Sequence, residues 1–576
     1  MKWKQNNNIT VEYLDKLTNE LGINSLLLRI FLNRVNDLDM ARVVLRDIHE
    51  AIIPPENLVN GQAVADRITE HIRKGSMIYI HADYDSDGLN SGTIMYETIK
   101  EVIEVANSNS SVEVYFPERE HGYGLSFYFV DMILNRHKDY RDDVLVITVD
   151  NGIAQIEQIN TLLDNGIEVV VTDHHESKKV IPNCLICNPH CHQIKQDNTF
   201  HHLCGAGVTF KVCELLQKNF EYHNMYRFVA NVAIATITDV MPLTTENIAF
   251  IKYGLEIINS EMCPAGIKAM KEYLGIDLVN PAHIAWEFGP RLNACGRMNN
   301  TNLGGRLLLE TNYEVATELV NEIELINDRR KELTKQAKNQ LDKMDFSNDL
   351  VCIIKLENIP EGIVGIIAGQ AAEKFGKPSI VVTEHNGICK GSARSAMGLN
   401  LQELFSIELE KGNILNFGGH VEAAGISFLE ENINSLKKSL HNSITNSVID
   451  TVNNNNLNES EPTLLIDECI EIKHLNKDTF DLINQLPYNN DSFSKPVFAL
   501  TDCNVKDFAP TKTNPNNIWL TIQQGKQTLK IWCKNMAETY KEKGCPSKVH
   551  LAGHVEKNFM SGRPYTFQVI DIADAS

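Results

Sequence analysis

The chain has no apolar run approaching the ~20 residues that cross a bilayer. Its opening stretch, Met1 to Asn8, carries lysine and asparagine where a secretory signal has an apolar core. On those grounds neither membrane insertion nor export is expected, and a cytoplasmic location is. A disulfide framework is missing too. Thirteen cysteines, an odd number, are scattered over 576 residues, the pattern of reduced thiols in an intracellular protein. Basic residues are in short supply, 54 against 75 acidic for a formal net charge of −21. Phosphate affinity comes from Lys and Arg, so composition does not point to a nucleic acid. Net charge averages a whole surface, however, and a strand-binding groove needs only a local basic lining. With 43% hydrophobic and 22% charged residues the chain has ordinary globular composition. It is too long for one core, and about three domains are expected.

What is present is a set of strands that end in acid. Met77 to His81 is an apolar run that stops in Ala82-Asp83-Tyr84-Asp85-Ser86-Asp87-Gly88. Three aspartates at alternate positions cannot all stay ionised within a few ångströms unless a cation or a pKa shift relieves the repulsion. A divalent metal is the simplest answer. The period of two predicts one face of an extended segment, with Gly88 permitting the turn into a helix over Ser91 to Val105. A calcium loop is disfavoured, because the twelfth residue counted from Asp83 is Ile94 rather than glutamate and an apolar strand precedes the acids.

Two more runs end alike: Val144 to Val149 in Asp150-Asn151-Gly152, and Ile167 to Val171 in Thr172-Asp173-His174-His175-Glu176. Short apolar runs of this kind read as buried parallel strands. In an open α/β sheet the ligand crevice lies beyond their carboxyl ends, so the three acidic tips converge. Asp239, after the helical run Phe228 to Ile237, is a fourth contributor whose place the sequence does not fix. Phosphodiester hydrolysis needs a nucleophilic hydroxide and neutralisation of charge on phosphorus, which two divalent ions about 4 Å apart supply; Asp150 is the natural bridge between them. Carboxylates with imidazole suit Mn2+ or Mg2+, and the absence of thiolates argues against zinc.

These motifs resemble the DHH phosphoesterase superfamily: His81 to Gly88, Val149-Asp150-Asn151-Gly152, Asp173-His174-His175 and Thr238-Asp239-Val240-Met241-Pro242-Leu243. Within it Pro117-Glu118-Arg119, Gly122 to Ser126, Gly289 to Met298, Gly362 to Ile366, Lys390 to Ser395 and Gly418-Gly419-His420 resemble the RecJ branch, over about residues 50 to 576. The resemblance implies a single-strand-specific 5′→3′ DNA exonuclease of DNA repair and recombination that releases 5′-mononucleotides. It implies an α/β architecture: a doubly wound parallel-sheet DHH domain, a long connecting helix, a smaller α/β DHHA1 domain and a C-terminal OB-like β-barrel. It also implies that His81, Asp83 and Asp85 serve one metal and Asp87, His174 and Asp239 the other, around Asp150. Asp173 is expected to orient His174, and His175 to face the scissile phosphate. Arg119, Arg291 and Arg394 are the candidate phosphate contacts, with Ser392 and His420 reaching in from the second domain. The expected partner is single-stranded DNA, handed over by a single-strand-binding protein or a helicase to a monomeric enzyme. Relatives often carry a histidine before the Gly362 motif; this chain has Ile359-Pro360-Glu361, so no role transfers there.

The expected division is an N-terminal helical segment at 1–50, a DHH domain at 51–311 opening at Pro54-Pro55, a connecting helix at 312–346, a DHHA1 domain at 347–445, an Asn-rich linker at 446–461 and an OB-like domain at 462–576. Residues 1–50 cap the sheet or contact DNA. Another strand is expected at Val112 to Phe116. Cys184, Cys187 and Cys191 with His190, His192, His201, His202 and Cys204 have zinc-like spacing, although Cys184 and Cys187 also fit a strand as small apolar residues. Gly205-Ala206-Gly207 opens a helix to about Phe220 and is read as close helix packing rather than a phosphate loop. Tyr313 to Asp345 reads as one helix of about 50 Å. In the second domain Ser379 to Val382 is expected as a strand, with Lys390 to Ser395 and Gly418 to His420 as loops. In the barrel Trp519, Trp532, Phe559 and Tyr565, with Lys526, Lys530 and Arg563, are candidates for base stacking and a basic groove, or in part barrel core. Two rival functions fit the same motifs: a phosphodiesterase acting on short oligonucleotides or cyclic dinucleotides, which would lack residues 462–576, and a non-catalytic replication scaffold, which would lack metal ligands.

Overall fold

Five parallel strands form the first sheet, in the spatial order Ser111–Tyr115, Met77–His81, Val144–Val149, Glu168–Thr172, Leu185–Cys187. Every side chain of Val144–Val149 is buried, as a strand covered on both faces requires. Its residues alternate between two cores. Leu145, Ile147 and Val149 join Ile78 and Ile80 under the helices Gly61–Lys74, Ser86–Val105 and Gly205–Lys218. Val144 and Val146 join Tyr79 under Phe127–Arg136 and Ile156–Asp164 on the other face. The sheet is therefore doubly wound. Because Met77–His81 lies between Ser111–Tyr115 and Val144–Val149, the winding reverses direction there, and a crevice opens beyond the carboxyl ends of Met77–His81 and Val144–Val149.

The computed structural model describes the chain apart from residues 1, 6–9, 36–37, 47, 139–142, 178, 195–198, 397, 455–462, 485–493, 513, 558–563 and 576. Helix Tyr313–Leu341 spans 29 residues, about 43 Å at 1.5 Å per residue. Its first half buries Ala316, Leu319, Val320 and Ile323 in the core of the parallel-sheet domain. Its second half buries Leu333, Ala337 and Leu341 against Ile363 and Ile367 of the next domain. The rest of its circumference is mostly polar, with Val315 and Leu325 exposed, as expected of a connector wetted between two cores.

The second domain is a five-stranded mixed sheet ordered Asn416–Gly419, Ala423–Leu429, Ile388–Arg394, Ser379–His385, Cys352–Lys355. Here the expectation of loops fails. Lys390 to Arg394 lies within a strand paired on both sides, and Gly418-Gly419 ends another. Gly391 and Ser392 have little β propensity, yet Gly391 sits so close to the neighbouring strand that an added Cβ would lie 1.9 Å from the Val381 carbonyl oxygen; tight strand packing, not a turn, explains the glycine.

The third domain is an antiparallel barrel ordered Gln527–Cys533, Ile518–Gln524, Phe498–Pro510, Lys548–Lys557, Tyr565–Asp574, with Glu468–Ile470 added in parallel to Phe498–Pro510. The 13-residue strand Phe498–Pro510 is hidden in the sequence because its alternation is broken by register shifts after Leu500 and Val505 and by a left-handed Asp502 (φ 56°). Helix Ile433–Asn454 runs into the segment expected as a linker; the remainder of that segment, and the candidates Phe559 and Arg563, lie outside the described residues.

The described part of residues 1–50 folds on the barrel rather than on the first sheet's strands. Lys2–Gln5 pairs in parallel with Thr463–Ile466, Ile30 enters the barrel core, and Arg34 forks onto Asp467 at 3.0 and 2.6 Å. Leu14, Leu27, Leu28 and Phe31 pack with Leu243 and Ile248 of the first domain. The segment is a wedge joining first and third domains. Among the described residues no helix is long and apolar enough to cross a membrane.

Candidate metal centre and active site

Each strand tip delivers its acids by a different local device. After His81 the chain turns directly into helix Ser86–Val105, five residues earlier than expected, because Asp85 caps it: its Oδ1 accepts from the Asp87 and Gly88 N–H groups at 3.0 and 3.1 Å. Asp87 and Gly88 are thus in the first helical turn, and Gly88 serves close approach rather than a turn, since a Cβ there would lie 2.5 Å from the Asp83 carbonyl oxygen. Asp83 Oδ1 accepts from the Tyr84 N–H at 2.7 Å. Asn293 Oδ1 accepts from the Ser86 N–H at 2.8 Å, tying the Gly289–Arg297 helix to the same turn.

Asp87 lies across the N-terminus of helix Gly205–Lys218, accepting from Gly205 N–H at 2.7 Å and Ala206 N–H at 2.8 Å. The Gly-Ala-Gly opening is an anion-holding helix end, and the anion is a carboxylate of the protein itself. Gly205 is obligatory for a second reason: a Cβ would stand 2.5 Å from Asp150 Oδ1. Asp150 is itself left-handed (φ 60°), a conformation that costs free energy and gathers at functional sites. Its N–H still donates to Thr172 O at 3.0 Å, which holds the strained residue at the strand end.

The side chains meet as the strand tips predict. His174 Nε2 stands 3.2 Å from Asp150 Oδ1, 3.6 Å from Asp87 Oδ2 and 3.7 Å from Asp239 Oδ2. Ligand atoms of Asp83, Asp85 and Asp150 lie within 4.8 Å of one another, as do those of Asp87, His174 and Asp239. Asp239 caps the C-terminal end of Val229–Thr238 and is the most open member. Burial and the Asp85 charge push Asp83 up to about 7 and Asp87 up to about 6. Burial and the Asp87 charge raise Asp150 well above the usual carboxylate range. Burial holds His81 and His174 down to about 3, the latter aided by the charge of His175, so both imidazoles are neutral. His81 is packed between Tyr115 and Phe129, fully buried, and neither ring nitrogen has a hydrogen-bond partner. A buried imidazole left unpaired beside carboxylates that burial forces toward protonation is what a pair of divalent cations would relieve. The residues present fit two such ions.

Asp173 differs from expectation. Its Oδ1 accepts from the backbone N–H groups of His174 and His175 at 2.8 and 3.1 Å and pairs with His175 Nδ1 at 2.8 Å, while Oδ2 accepts from Ile153 N–H at 2.9 Å. It therefore orients the His175 ring and only the backbone of His174, because the tight turn folds its carboxylate back over the next two residues. Burial alone would lower His175, but Asp173 outweighs it and holds the imidazolium up to about 10. The other nitrogen, Nε2, sits 3.1 Å from the Tyr123 hydroxyl. Tyr123 falls in the Gly122 to Ser126 stretch that the family resemblance marks, but nothing in the sequence assigns its hydroxyl a role.

The arginines divide. Arg119 lies over the Tyr84 ring at 4.1 Å, and its buried Nε has no hydrogen-bond partner. Arg291 is occupied: its fork grips Glu324 at 2.6 and 3.2 Å, and Nη1 takes Glu287 at 2.7 Å. The substrate-contact expectation for Arg291 gives way to a structural one, fastening its helix to Tyr313–Leu341. Arg297, six residues on, donates to the Gly362 carbonyl of the second domain at 2.9 Å. Burial, then Arg119 and Arg330, lower it to about 10, so these three arginines share one neighbourhood. In the second domain Arg394 Nη1 donates to Ser392 Oγ at 3.0 Å. His420 is lowered by burial and by the charge of His175. None of Cys184, Cys187 and Cys191 joins a metal-binding group among the described residues; burial pushes the Cys184 thiol up to about 12.

An open parallel sheet with this acidic crevice, a connecting helix and a covering α/β domain defines a DHH-type phosphoesterase. The sequence matches the DHH family, N-terminal domain, over residues 77–237, the DHHA1 domain over 348–446 and the RecJ OB domain over 466–571. It is 30% identical to the single-stranded-DNA-specific exonuclease RecJ of Salmonella typhimurium, across 70% of this chain and 72% of that one. It is 28% identical to the protein of the same name from Bacillus subtilis, across 95% and 67%. The fold superposes on the crystal structure of RecJ in complex with Mn2+ from Thermus thermophilus with a TM-score of 0.77 at 23% identity, covering 100% of this chain and 80% of that one. The chain belongs to the RecJ family.

Proposed function

We propose that this chain is a two-metal exonuclease that hydrolyses single-stranded DNA from its 5′ end and releases 5′-mononucleotides, as a monomer in the cytoplasm. The observation that supports it most is the convergence of Asp83, Asp85, Asp87, Asp150, His174 and Asp239 around a crevice with an unpaired, buried His81. His81, Asp83 and Asp85 would hold one ion and Asp87, His174 and Asp239 the other, with Asp150 shared; Mn2+ and Mg2+ suit such ligands. When bound, these ions neutralise charge on the phosphate and lower the pKa of an attacking water.

The chain's own groups do the rest. Asp173 fixes the His175 ring so that Nε2, now beside the Tyr123 hydroxyl, is the donor offered to a phosphate oxygen. Arg119 and Arg297 line the approach of the backbone, and Ser392, Arg394 and His420 receive the terminal 5′-phosphate from the second domain. The barrel retains the strand beyond the site, where a single-strand-binding protein or a helicase would hand it over. Product sizes followed over time from 5′- and 3′-labelled single strands test the proposal: mononucleotides should appear first from the 5′ label, with Mn2+ and not with EDTA. Digestion from the 3′ label, or activity in EDTA, would overturn it.

A further inference from the structure

We propose that Glu176, His190 and His201 form a third cation site, separate from the aspartate centre and suited to a borderline ion of the Zn2+ class. One ligand atom from each lies within 4.8 Å of the other two, against about 3.4 Å between ligand atoms around a tetrahedral ion with ~2.1 Å bonds. A small inward movement closes the set.

The hydrogen bonds fix where the lone pairs sit in the neutral rings. His190 Nε2 faces the His201 carbonyl, an acceptor only, so in the neutral ring, which burial favours, Nε2 carries the proton and Nδ1 the lone pair. That Nδ1 faces Glu176 Oε1 at 3.5 Å. Two acceptors so placed repel unless a proton on Nδ1 or a metal ion joins them. His201 Nδ1 faces the Pro189 carbonyl at 3.4 Å, which leaves its lone pair on Nε2. The His190 and His201 rings stack with centroids 3.8 Å apart. An imidazole held by a carbonyl on its far nitrogen is the usual support of a metal-ligating histidine. His192 Nε2 holds the other Glu176 oxygen at 2.7 Å, steadying the carboxylate from the solvent side. Two imidazoles and one carboxylate select Zn2+ or Co2+ over Mg2+.

Glu176 directly follows His175, and His201 stands four residues before Gly205, whose N–H holds Asp87. An ion here ties together the two segments that carry His174 and support Asp87, and so braces the main centre without belonging to it.

The test uses the full chain with Mg2+ in excess, titrated with Zn2+ or Co2+. Bound ions are counted by equilibrium dialysis with elemental analysis, Co2+ is followed by its tetrahedral absorption, and Tm is recorded. Wild type should bind one more ion per chain than the double variant His190→Ala, His201→Ala, and only wild type should gain Tm on adding Zn2+. Glu176→Gln, which preserves shape, should weaken that ion at least tenfold and decides the matter if the double variant does not fold. Equal ion counts and equal Co2+ spectra in wild type and Glu176→Gln would overturn the site and leave an imidazolium–carboxylate pair in its place.

Discussion

Asp150 is the residue on which the proposed two-ion chemistry most depends. It is strained and buried, its Oδ1 accepts no hydrogen bond but stands 3.2 Å from His174 Nε2, and it shares a ligand group with Asp83 and Asp85. Asp150→Ala should leave the circular-dichroism spectrum intact and reduce hydrolysis below about a tenth of wild type, since removing one bridging ligand disables both ions; retained nuclease activity would contradict the two-ion arrangement. Gly205→Ala is the sharper test, because it changes no ligand. Its new Cβ would fall 2.5 Å from Asp150 Oδ1, so Asp150 must rotate. Activity should drop at least tenfold and the Mn2+ requirement rise, with stability changed by no more than about 2 kcal/mol. A normal Mn2+ titration in that variant would show that Asp150 is not held where the ions need it.

Among elements, the strand Ile388–Arg394 of the second domain carries Ser392 and Arg394, the residues proposed to recognise the strand end, on a rigid sheet rather than a loop. A strand bonded on both sides holds Arg394 with little freedom, so its loss should alter recognition cleanly. Arg394→Ala is expected to reduce the preference for 5′-phosphorylated over 5′-hydroxyl single strands, measured as the ratio of initial rates, while the Mn2+ concentration for half-maximal activity stays within about twofold. An unchanged ratio would remove the 5′-phosphate from this strand. Elements also explain what pattern reading could see. Met77–His81 and Val144–Val149 are legible because buried parallel strands must be apolar throughout. Phe498–Pro510 is not, because two bulges and a left-handed residue break its alternation, and Ile388–Arg394 is not, because close strand approach selects Gly and Ser against propensity.

Across the whole molecule, the N-terminal wedge makes the barrel part of the scaffold. Trp3 Nε1 donates to Asp571 at 2.8 Å, and Arg34 grips Asp467 with little exposure of either side chain. Arg34→Ala leaves a buried carboxylate with fewer partners and should cost about 3 kcal/mol, read as a lower Tm of the full chain; a Tm equal to wild type would mean that the wedge does not hold the barrel. Strand binding is separable from that role. Trp519 and Trp532 pair across neighbouring strands outside the barrel core, and Lys530 lies over the Trp519 ring at 5.3 Å. The double variant Trp519→Ala, Trp532→Ala should weaken binding of long single strands by about 1–3 kcal/mol per stacked base yet leave dinucleotide cleavage near wild type. Equal losses on both substrates would assign these rings to supporting the active site.

The sequence by itself determined the parallel strands, the acids at their tips and the family they resemble, because a doubly covered strand and a metal-binding tip each restrict residue type position by position. Tertiary structure alone decided the partnerships. Asp173 serves His175 rather than the His174 ring because the turn after Glu168–Thr172 folds back on itself. Arg291 is spent on Glu324, a residue 33 positions away, while Arg297 reaches the second domain. Asp87 rests on a helix end 118 positions along the chain. Local pattern encodes burial and extension, whereas the partner of a charged side chain is set by which segments packing brings together, and one chain's spacing carries no record of that.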